Sequence, residues 1–408
     1  MKKGFLSGAR LRSDCTTDKY NVLKKDYIDK YDILELLGSG NFTQVFRGFD
    51  KVNNIDVAIK IANKSNLISM RREDEILNEK RVCMMINENP SKNVIKLLST
   101  FSSNENLYLI YELCTGGELW QRILPIGLRP LTEATFFLAQ LLISIEHIHN
   151  LGIIHRDIKA ENCFITGEGQ LKLGDFGSSI TIDETKCDSS NCNSSCACRF
   201  VMRRGRREFK YYVGTPQFMP PESIRNKPPT KAVDLWSFGC TVFQVISGYP
   251  PYNAPSEFLV YCRVLGNKLI FPPDFPEDGK SLVELLLKHN PEERATIEEV
   301  KKHRFFNQID FEKLLSEENL YFKFPPSLKD LCLIIISKAG NELNGDQIES
   351  LSVSEETIKR LKRINFDLER NAYEGPRDSW LDEFPEFTRN SCLEELDECN
   401  SSRNESDE

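Results

Sequence analysis

Hydrophobic and polar positions alternate in short runs over the part of the chain that follows a polar start. Alternation at a period of two, interrupted by glycine and other turn residues, is typical of β-strands joined by hairpins. Between the third and fourth of these runs, RREDEILNEKRVCMMI instead shows the apolar spacing of an amphipathic helix. The predicted strands lie in YDILELLGSGNFTQVFRGFD, which contains two of them, and in DVAIKIA, NVIKLLSTF and NLYLIYEL.

The pattern after residue 113 is mainly helical. TEATFFLAQLLISIEHIHNLG contains about five turns of apolar spacing, with Thr132 as the N-terminal capping residue and an end at Gly152. We therefore expect the α+β class, with a small β-rich lobe followed by a larger helical lobe. The expected boundaries are 1–30 for a polar, flexible N-terminal segment, 31–113 and 114–306 for the two lobes, and 307–408 for a tail with an acidic C-terminal extension.

The composition is that of a globular protein, since 40% of the 408 residues are hydrophobic and 28% are charged. The net charge of −8 argues against a nucleic-acid partner. We expect no membrane span and no signal peptide, because no run of about 18 apolar residues is present and the N-terminus lacks an apolar core. The 13 cysteines are an odd number and most lie in apolar segments, which favours free thiols in a reducing, cytoplasmic compartment.

The turn between the first two predicted strands is rich in glycine. Glycine allows backbone N–H groups to approach a phosphate closely, so a hairpin of this kind can cover the phosphates of a nucleotide. Thr43 stands where the third glycine of a GxGxxGxV pattern is expected, and a simple tight hairpin would also account for the composition. The residues concerned are Gly38, Ser39, Gly40, Asn41, Phe42, Thr43, Gln44 and Val45.

A lysine and a glutamate follow this turn. Lys60 ends the run VAIK on the third predicted strand, and Glu79 lies in the predicted helix after it. An ion pair between the two would hold the lysine ready for the α- and β-phosphates of a nucleotide. Glu73 and Glu75 are nearby alternatives, and the spacing to NVIKLL favours Glu79.

Two further motifs complete the set, HRDIKAEN at residues 155–162 and DFG beginning at Asp175. Either motif alone would be an ordinary surface turn, but the whole set in this order is typical of phosphoryl transfer. The sequence from Tyr31 to about Phe306 resembles the eukaryotic protein kinase family, including VGTPQFMPPES, DLWSFGC and NPEERAT. The resemblance implies a bilobal fold that binds ATP and Mg²⁺, in which Asp234 and Arg294 brace the larger lobe.

The resemblance also implies catalytic and metal-binding roles for individual residues. Asp157 would accept or orient the proton of the substrate hydroxyl, and Lys159 would neutralise the γ-phosphate during transfer. Asn162 and Asp175 would hold Mg²⁺.

The Lys60–Glu79 pair completes the catalytic residues that the resemblance implies. The nucleotide base would meet the backbone of Glu112, Leu113 and Cys114, and Glu118 would reach the ribose. The other nucleotide-binding residues would be Gly38, Ser39, Gly40, Asn41, Phe42, Thr43, Val45, Ala58, Lys60, Glu161 and Asp175.

The acceptor and the branch of the family are indicated by further residues. A lysine two residues after Asp157, together with Thr215 in VGTP, is the pattern of kinases that modify serine and threonine. NLYLIYELCTGGELW and AVDLWSFGCTVFQVISGYPPYN are similar to the 3-phosphoinositide-dependent protein kinases of the AGC group. This resemblance implies protein partners, namely other AGC kinases phosphorylated on their activation loops. That branch usually has a lipid-binding domain after the kinase domain, and we expect none here because the chain ends in an acidic stretch.

Two other functions are compatible with the sequence. One is a different AGC-type kinase regulated by its own tail motif, since Phe384, Phe387 and Thr388 fit a Phe-x-x-Phe-Ser/Thr pattern that could equally arise by chance in an unstructured tail. The other is a kinase-fold scaffold that acts by interaction, against which the complete catalytic set argues. Lys80 fits either contact with a docking phosphate or an ordinary exposed helix lysine.

The activation segment carries an insertion at about residues 186–207. Its cysteines could ligate Zn²⁺, although the usual C-x₂-C pairs are lacking and a polar loop would also account for them. Its basic run could bind phosphate or form a solvated face. Arg156 would pair with a phosphate in this segment. Either Tyr211 or an upstream Ser or Thr supplies that phosphate, or the segment is ordered in another way. The residues of the insertion are Cys187, Cys192, Cys196 and Cys198, and the basic Arg203, Arg204, Arg206 and Arg207.

Overall fold

The computed structural model describes residues 27–40, 42–123, 127, 131–185 and 212–316. The chain divides into two compact units, called here the N-terminal unit (Met1–Lys80 and Lys96–Leu113) and the C-terminal unit (Arg81–Ile95 and Cys114–Glu408). The N-terminal unit is built on a β-sheet and the C-terminal unit is mainly helical. The predicted α+β class is therefore confirmed.

The N-terminal unit contains the five strands that the alternation predicts: β1 (Tyr31–Ser39), β2 (Thr43–Asp50), β3 (Ile55–Asn63), β4 (Leu97–Ser102) and β5 (Asn106–Glu112). They form one antiparallel sheet in the order β1-β2-β3-β5-β4. The turn after β2 is closed by the carboxylate of Asp50, which accepts the N–H groups of Val52 and Asn53 at 2.9 and 3.0 Å. Such a side chain-to-backbone turn explains why an aspartate ends this strand.

The two faces of this sheet differ in chemistry because successive side chains point to opposite faces. Val57 and Ile59 of β3 form a buried apolar cluster with Tyr108 and Ile110 of β5 on one face. Lys60 follows Ile59 and therefore lies on the other face. The alternation of the strand thus separates the core from the face that carries the cation.

Two helices follow β3, namely α1 (Lys64–Met70) and α2 (Glu73–Glu88). The side chain of Asn63 caps α1 by accepting the N–H of Asn66 at 3.1 Å. Three acidic residues in the first turn of α2 complement the positive end of the helix dipole. Further along α2, Ile76 and Glu79 are both buried, so this helix presents a carboxylate to the interior together with its apolar side chains.

The described part of the C-terminal unit contains helices α3 (Leu119–Ile123), α4 (Leu131–Asn150), α5 (Ile182–Thr185), α6 (Pro221–Ile224), α7 (Ala232–Ser247), α8 (Glu257–Leu265), α9 (Glu277–Leu286), α10 (Ile297–Lys301) and α11 (Phe311–Leu315). Its strands are short: β6 (Gly117–Glu118), β7 (Ile153–Ile154), β8 (Cys163–Ile165), β9 (Leu171–Leu173) and β10 (Ile180–Thr181). β6, β8 and β9 form one small sheet in that order, and β7 pairs with β10.

Helices α4 and α7 are apolar around most of their circumference, which is typical of core helices. Every residue of α7 after Ala232 is buried. Within the described residues, α4 is the helix that is long and apolar enough to cross a membrane, and 72% of its most apolar window is buried inside the protein. That burial accounts for its composition as a core helix.

The N-terminal end of α4 differs from the sequence prediction. The helix begins at Leu131, so Thr132 lies inside the first turn and not at the capping position. The hydroxyl that bonds back to the first turn belongs to Thr135, which donates to the carbonyl of Leu131 at 2.9 Å. At the other end the helix stops at Asn150, and Gly152 takes a φ of +74° in the turn that follows.

A buried ion pair joins α6 to the segment before α10. The guanidinium of Arg294 donates to both oxygens of Glu222, at 2.6 and 2.7 Å. It also donates to the carbonyls of Ala232 and Lys288, at 2.9 and 2.8 Å. These acceptors together satisfy the hydrogen-bond donors of one fully buried guanidinium group. Because the acceptors belong to different segments of the C-terminal unit, the bracing role expected for Arg294 is confirmed.

Replacing Arg294 by alanine should lower the free energy of unfolding by about 3–5 kcal/mol, because the carboxylate of Glu222 would stay buried without its partner. Urea unfolding would measure this loss. Arg304→Ala is the matched control, since the Arg304–Asp278 pair is 55% and 51% exposed and should cost less than about 1 kcal/mol. Equal losses for the two variants would contradict the bracing role.

Candidate active site

The glycine-rich turn joins β1 to β2 in the N-terminal unit. The N–H of Gly40 donates to the carbonyl of Thr43 at 2.8 Å and closes the turn. Beyond its chain neighbours, no described atom lies within 4 Å of the place where a Cβ on Gly38 would stand. The backbone here is therefore open to a ligand, as a phosphate-binding hairpin requires. Asn41 lies outside the described residues.

Three residues predicted to meet the nucleotide share one face of the sheet. Val45 of β2 is directly opposite Lys60 of β3, and Ala58 lies two residues before Lys60 on the same strand. Because side chains two apart on a strand share a face, all three point to the same side. All three are partly buried, as is Phe42, while Ser39 ends β1. This face offers apolar contact beside a cation, which suits a base linked to phosphates.

The predicted ion pair between Lys60 and Glu79 is present. The ammonium group donates to both carboxylate oxygens of Glu79 at 2.8 Å, and the side chains are 15% and 4% exposed. The alternative Glu75 instead pairs with Arg72, and the alternative Glu73 is the first residue of α2. The hydroxyl of Tyr111 donates to Oε1 of Glu79 at 2.7 Å, a contact that the sequence analysis did not single out.

The HRD segment of the C-terminal unit is anchored on a buried carboxylate. Asp234, with no exposed surface, accepts the backbone N–H groups of His155 and Arg156 at 2.9 and 2.8 Å. The imidazole of His149 donates to the same carboxylate at 2.8 Å. The imidazole of His155 in turn donates to the carbonyl of Gly174 at 3.0 Å, which links the HRD segment to the DFG segment. The bracing role expected for Asp234 is therefore confirmed.

The charge of Asp234 is stabilised despite its burial. Burial alone would raise its pKa, but the hydrogen bond and charge of His149 and the N–H of His155 outweigh that effect and hold the pKa below its ordinary value. The ionised group can therefore fix two consecutive N–H donors. That fixation matters because Arg156 has a φ of +68°, a left-handed conformation that non-glycine residues seldom adopt without support.

The carboxylate of Asp157 lies at the centre of a hydrogen-bond network. Its Oδ2 accepts from the amide of Asn162 at 3.0 Å and from the ammonium of Lys159 at 2.9 Å. Its Oδ1 accepts from the backbone N–H and the hydroxyl of Thr215, at 2.9 and 2.8 Å. The side chain of Asp157 is 11% exposed, so its orientation is fixed while an edge stays accessible. The structure thus brings together three predicted site residues and adds Thr215.

The backbone before Thr215 lies directly on the HRD segment. Gly214 has a φ of +120°, and a Cβ at that position would stand 2.7 Å from the carbonyl oxygen of Arg156. Only glycine permits this approach. The hydroxyl of Thr215 also lies 2.6 Å from the ammonium of Lys159, from which it accepts. Thr215 was noted in the sequence only as part of VGTP, and its 58-residue separation from Asp157 hid the contact.

Two carboxylates predicted at the nucleotide, those of Glu118 and Glu161, lie close enough to interact in the C-terminal unit. Burial raises the pKa of Glu118, the negative charge of Glu161 adds to that rise, and the cation of Lys159 opposes it. Elsewhere, Glu112 ends β5 and uses its carboxylate to accept the N–H of Lys96 at 2.8 Å. The expected contact of Glu112 with a base uses the backbone and is compatible with this arrangement.

Asn162 and Asp175 are the residues expected to hold Mg²⁺. Asp175 is exposed and has a φ of +57°, while the following Phe176 is fully buried, so this exposed residue lies on an anchored segment. Amide and carboxylate oxygens are ligands suited to Mg²⁺, which keeps several waters or phosphate oxygens. Within the described residues, no cluster of three His, Cys, Asp or Glu residues could hold a metal, and the small donor set of a Mg²⁺ site does not require one.

Several expectations fall outside the described residues. They concern the zinc-binding proposal for Cys187, Cys192, Cys196 and Cys198, the basic run, Tyr211, and the tail motif at Phe384–Thr388, all of which stay predictions. The five cysteines that the structure describes are free thiols. Lys80 is exposed on α2. The guanidinium of Arg156 donates to the carbonyl of Ser178 at 2.6 Å.

Comparison with known proteins agrees with this geometry. Residues 31–306 match the family model described as the protein kinase domain. The chain is 32% identical over 294 residues to 3-phosphoinositide-dependent protein kinase 1 of Arabidopsis thaliana, covering 70% of this chain and 57% of that protein. It is 31% identical over 309 residues to Serine/threonine-protein kinase PKH2 of Saccharomyces cerevisiae, covering 76% and 27%. It is 30% identical over 325 residues to Serine/threonine-protein kinase ksg1 of Schizosaccharomyces pombe, covering 78% and 53%.

The chain therefore spans between about a quarter and somewhat more than half of the length of these relatives.

Asp234→Asn should lower the free energy of unfolding by about 2–4 kcal/mol, because an amide N–H₂ would face donors that need acceptors. Amide hydrogen exchange at His155 and Arg156 should accelerate in the same variant. Urea unfolding and exchange measured by mass spectrometry would test both expectations. Asp278→Asn, at a side chain that is 51% exposed, should change stability by less than about 0.5 kcal/mol. Unchanged exchange at the HRD segment would show that Asp234 does not anchor it.

Proposed function

The chain belongs to the protein kinase family, and from that premise we propose that it transfers the γ-phosphate of ATP to serine or threonine hydroxyls of other proteins. A protein kinase domain uses ATP and Mg²⁺. The observation that carries the proposal is the network around Asp157, in which Lys159, Asn162 and Thr215 all contact one carboxylate. A scaffold that only binds its partners would not require these groups to be held together.

The residues around Asp157 suit transfer to a hydroxyl. Asp157 would accept or orient the proton of the acceptor, because its carboxylate is fixed by donors on both oxygens. Lys159 would balance the charge of the transferring phosphoryl group, since its ammonium lies 2.9 Å from Asp157. Thr215 would hold both groups in register. Positioning and charge neutralisation account for most of the rate in this class of reaction.

Each unit carries groups that are suited to a part of the nucleotide. Lys60, fixed by Glu79, would bind the α- and β-phosphates, and the open backbone at Gly38 would cover them. Asn162 and Asp175 would hold Mg²⁺, which neutralises the phosphate oxygens when bound. The base would meet Val45, Ala58 and the backbone of Glu112 and Cys114.

The acceptor proteins are proposed to be other AGC kinases, phosphorylated on their activation loops. The relatives carry names of 3-phosphoinositide-dependent and serine/threonine kinases, which supports this class. The N-terminal unit adds a physical argument. Leu77 is 47% exposed on α2, and the exposed Lys80 lies three residues further along on the same side of that helix. An apolar side chain beside a cation suits a substrate tail that carries an aromatic residue and a phosphate.

Transfer of labelled phosphate from Mg·ATP would test the proposed activity, with Lys60→Met as the blank. The substrate would be an unphosphorylated AGC kinase domain that includes its aromatic tail motif, beside a generic basic peptide. We expect labelling of a threonine in the activation loop that depends on the tail, and a weaker dependence on the tail in Leu77→Asp. Labelling of the basic peptide alone would favour an ordinary AGC kinase. Wild-type labelling no greater than that of Lys60→Met would count against the proposed activity.

Asp157→Asn should reduce kcat by about 10²–10⁴-fold without unfolding the protein, since the variant loses the group that takes up the proton. Asp56→Asn is the control, because Asp56 is 40% exposed and pairs with Arg47 on the sheet surface. Phosphate transfer and thermal unfolding would be measured on both. Full activity of Asp157→Asn would instead support a scaffold that acts by interaction.

A further inference from the structure

Tyr111 is a buried polar residue that the proposed mechanism does not use. It lies one residue before the end of β5 and is 7% exposed. Its hydroxyl donates to Oε1 of Glu79 at 2.7 Å, while the ammonium of Lys60 donates to both oxygens of the same carboxylate at 2.8 Å. A single buried carboxylate, 4% exposed, thus receives donors from two different strands.

The register of the sheet places both donors on one face. Tyr111 is directly opposite Ala58, and Lys60 lies two residues along β3 from Ala58. Residues directly opposite one another share a face, and so do residues two apart on a strand. Leu97 of β4, which is 4% exposed, is the other cross-strand neighbour of Tyr111. The ring is therefore held between two fixed strands, and its hydroxyl has a fixed position.

A bond from the phenol is not interchangeable with the ion pair. The ammonium of Lys60 is on a flexible stem and must share its N–H donors with phosphate when a nucleotide binds. The hydroxyl of Tyr111 is carried by a packed ring, so it keeps its position while the ammonium of Lys60 shares its hydrogen bonds between Glu79 and phosphate. Hydrogen bonds from a hydroxyl to a carboxylate are also among the stronger ones in proteins.

We infer that Tyr111 is a positioning residue, which holds the carboxylate of Glu79 so that Lys60 presents its ammonium to the phosphates of ATP. The inference rests on the proposed phosphoryl transfer. It assigns a role in nucleotide binding to a tyrosine whose ring otherwise looks like a core side chain. Loss of the hydroxyl alone, with the ring kept, should weaken the binding of ATP and leave the binding of the protein substrate unchanged.

Tyr111→Phe tests this role, with Tyr108→Phe as the matched control. Tyr108 lies on the same strand, is 8% exposed, and faces the apolar cluster on the opposite side of the sheet. Among the described residues, its hydroxyl accepts one long hydrogen bond, from the side-chain amide of Asn106 at 3.4 Å. We expect Tyr111→Phe to lower kcat/KM for ATP about 5- to 30-fold, with a raised KM for ATP and an unchanged KM for the protein substrate. Tyr108→Phe should leave kcat/KM for ATP and both KM values near those of the wild type.

A second measurement does not depend on turnover. The Kd of Mg·ATP would be determined by calorimetry for wild type, Tyr111→Phe, Glu79→Gln and the double variant. Tyr111→Phe should raise Kd about 5- to 30-fold in the wild-type background and less than about 2-fold beside Glu79→Gln, because the hydroxyl acts through that carboxylate. Additive effects of the two substitutions would overturn the inference, as would equal kinetics for Tyr111→Phe and Tyr108→Phe.

The outcomes separate this inference from the proposed function. If wild type transfers no phosphate but the Kd cycle shows the coupling, the proposed activity fails and the positioning role stands. If wild type is active and the cycle is additive, only the positioning role fails. The substitution removes one oxygen atom from a ring that stays packed, so a Tyr111→Phe variant that did not fold would show a purely structural role and would also overturn the inference.

Discussion

A buried negative charge must be met by donors, and the candidate site of the C-terminal unit depends on how that requirement is satisfied at Asp234. Its carboxylate is fully buried and ionised, and the nearest donors include two successive backbone N–H groups of the HRD segment. The segment is thereby held in a conformation that includes a left-handed residue, Arg156. Because the backbone is fixed there, the orientation of the side chain of Asp157, the next residue, is set before any substrate binds.

The same principle recurs at the other groups of the site. Glu79 is buried and receives donors from Lys60 and Tyr111, so its position is set by two strands. Asp157 is also buried and receives donors on both oxygens. In each case a carboxylate collects donors from segments that are distant in sequence, and the cost of leaving it unpaired favours one arrangement of those segments. Residues that take no part in the chemistry therefore determine its geometry.

Much of the fold and part of the site follow from local pattern. The five strands could be predicted because their alternation is regular, and Glu79 could be chosen over Glu73 and Glu75 from its spacing to the strand segment NVIKLL that follows the helix. The start of α4 could not, since apolar spacing defines the middle of a helix better than its first turn. Tyr111 and Thr215 were missed for another reason. One resembles a core residue and the other lies 58 residues from its partner, and no local pattern encodes such contacts.

The close approach of Gly214 to the carbonyl of Arg156 separates two parts of the activation segment. Main chain lies against main chain there, and this contact fixes the backbone directly before Thr215. The chain between Thr185 and Tyr212 includes the cysteine-rich insertion, and the entropic cost of joining two fixed ends rises only slowly with the number of residues between them. We therefore expect the geometry at Asp157 to be kept when natural variation or protein engineering changes the length of that stretch.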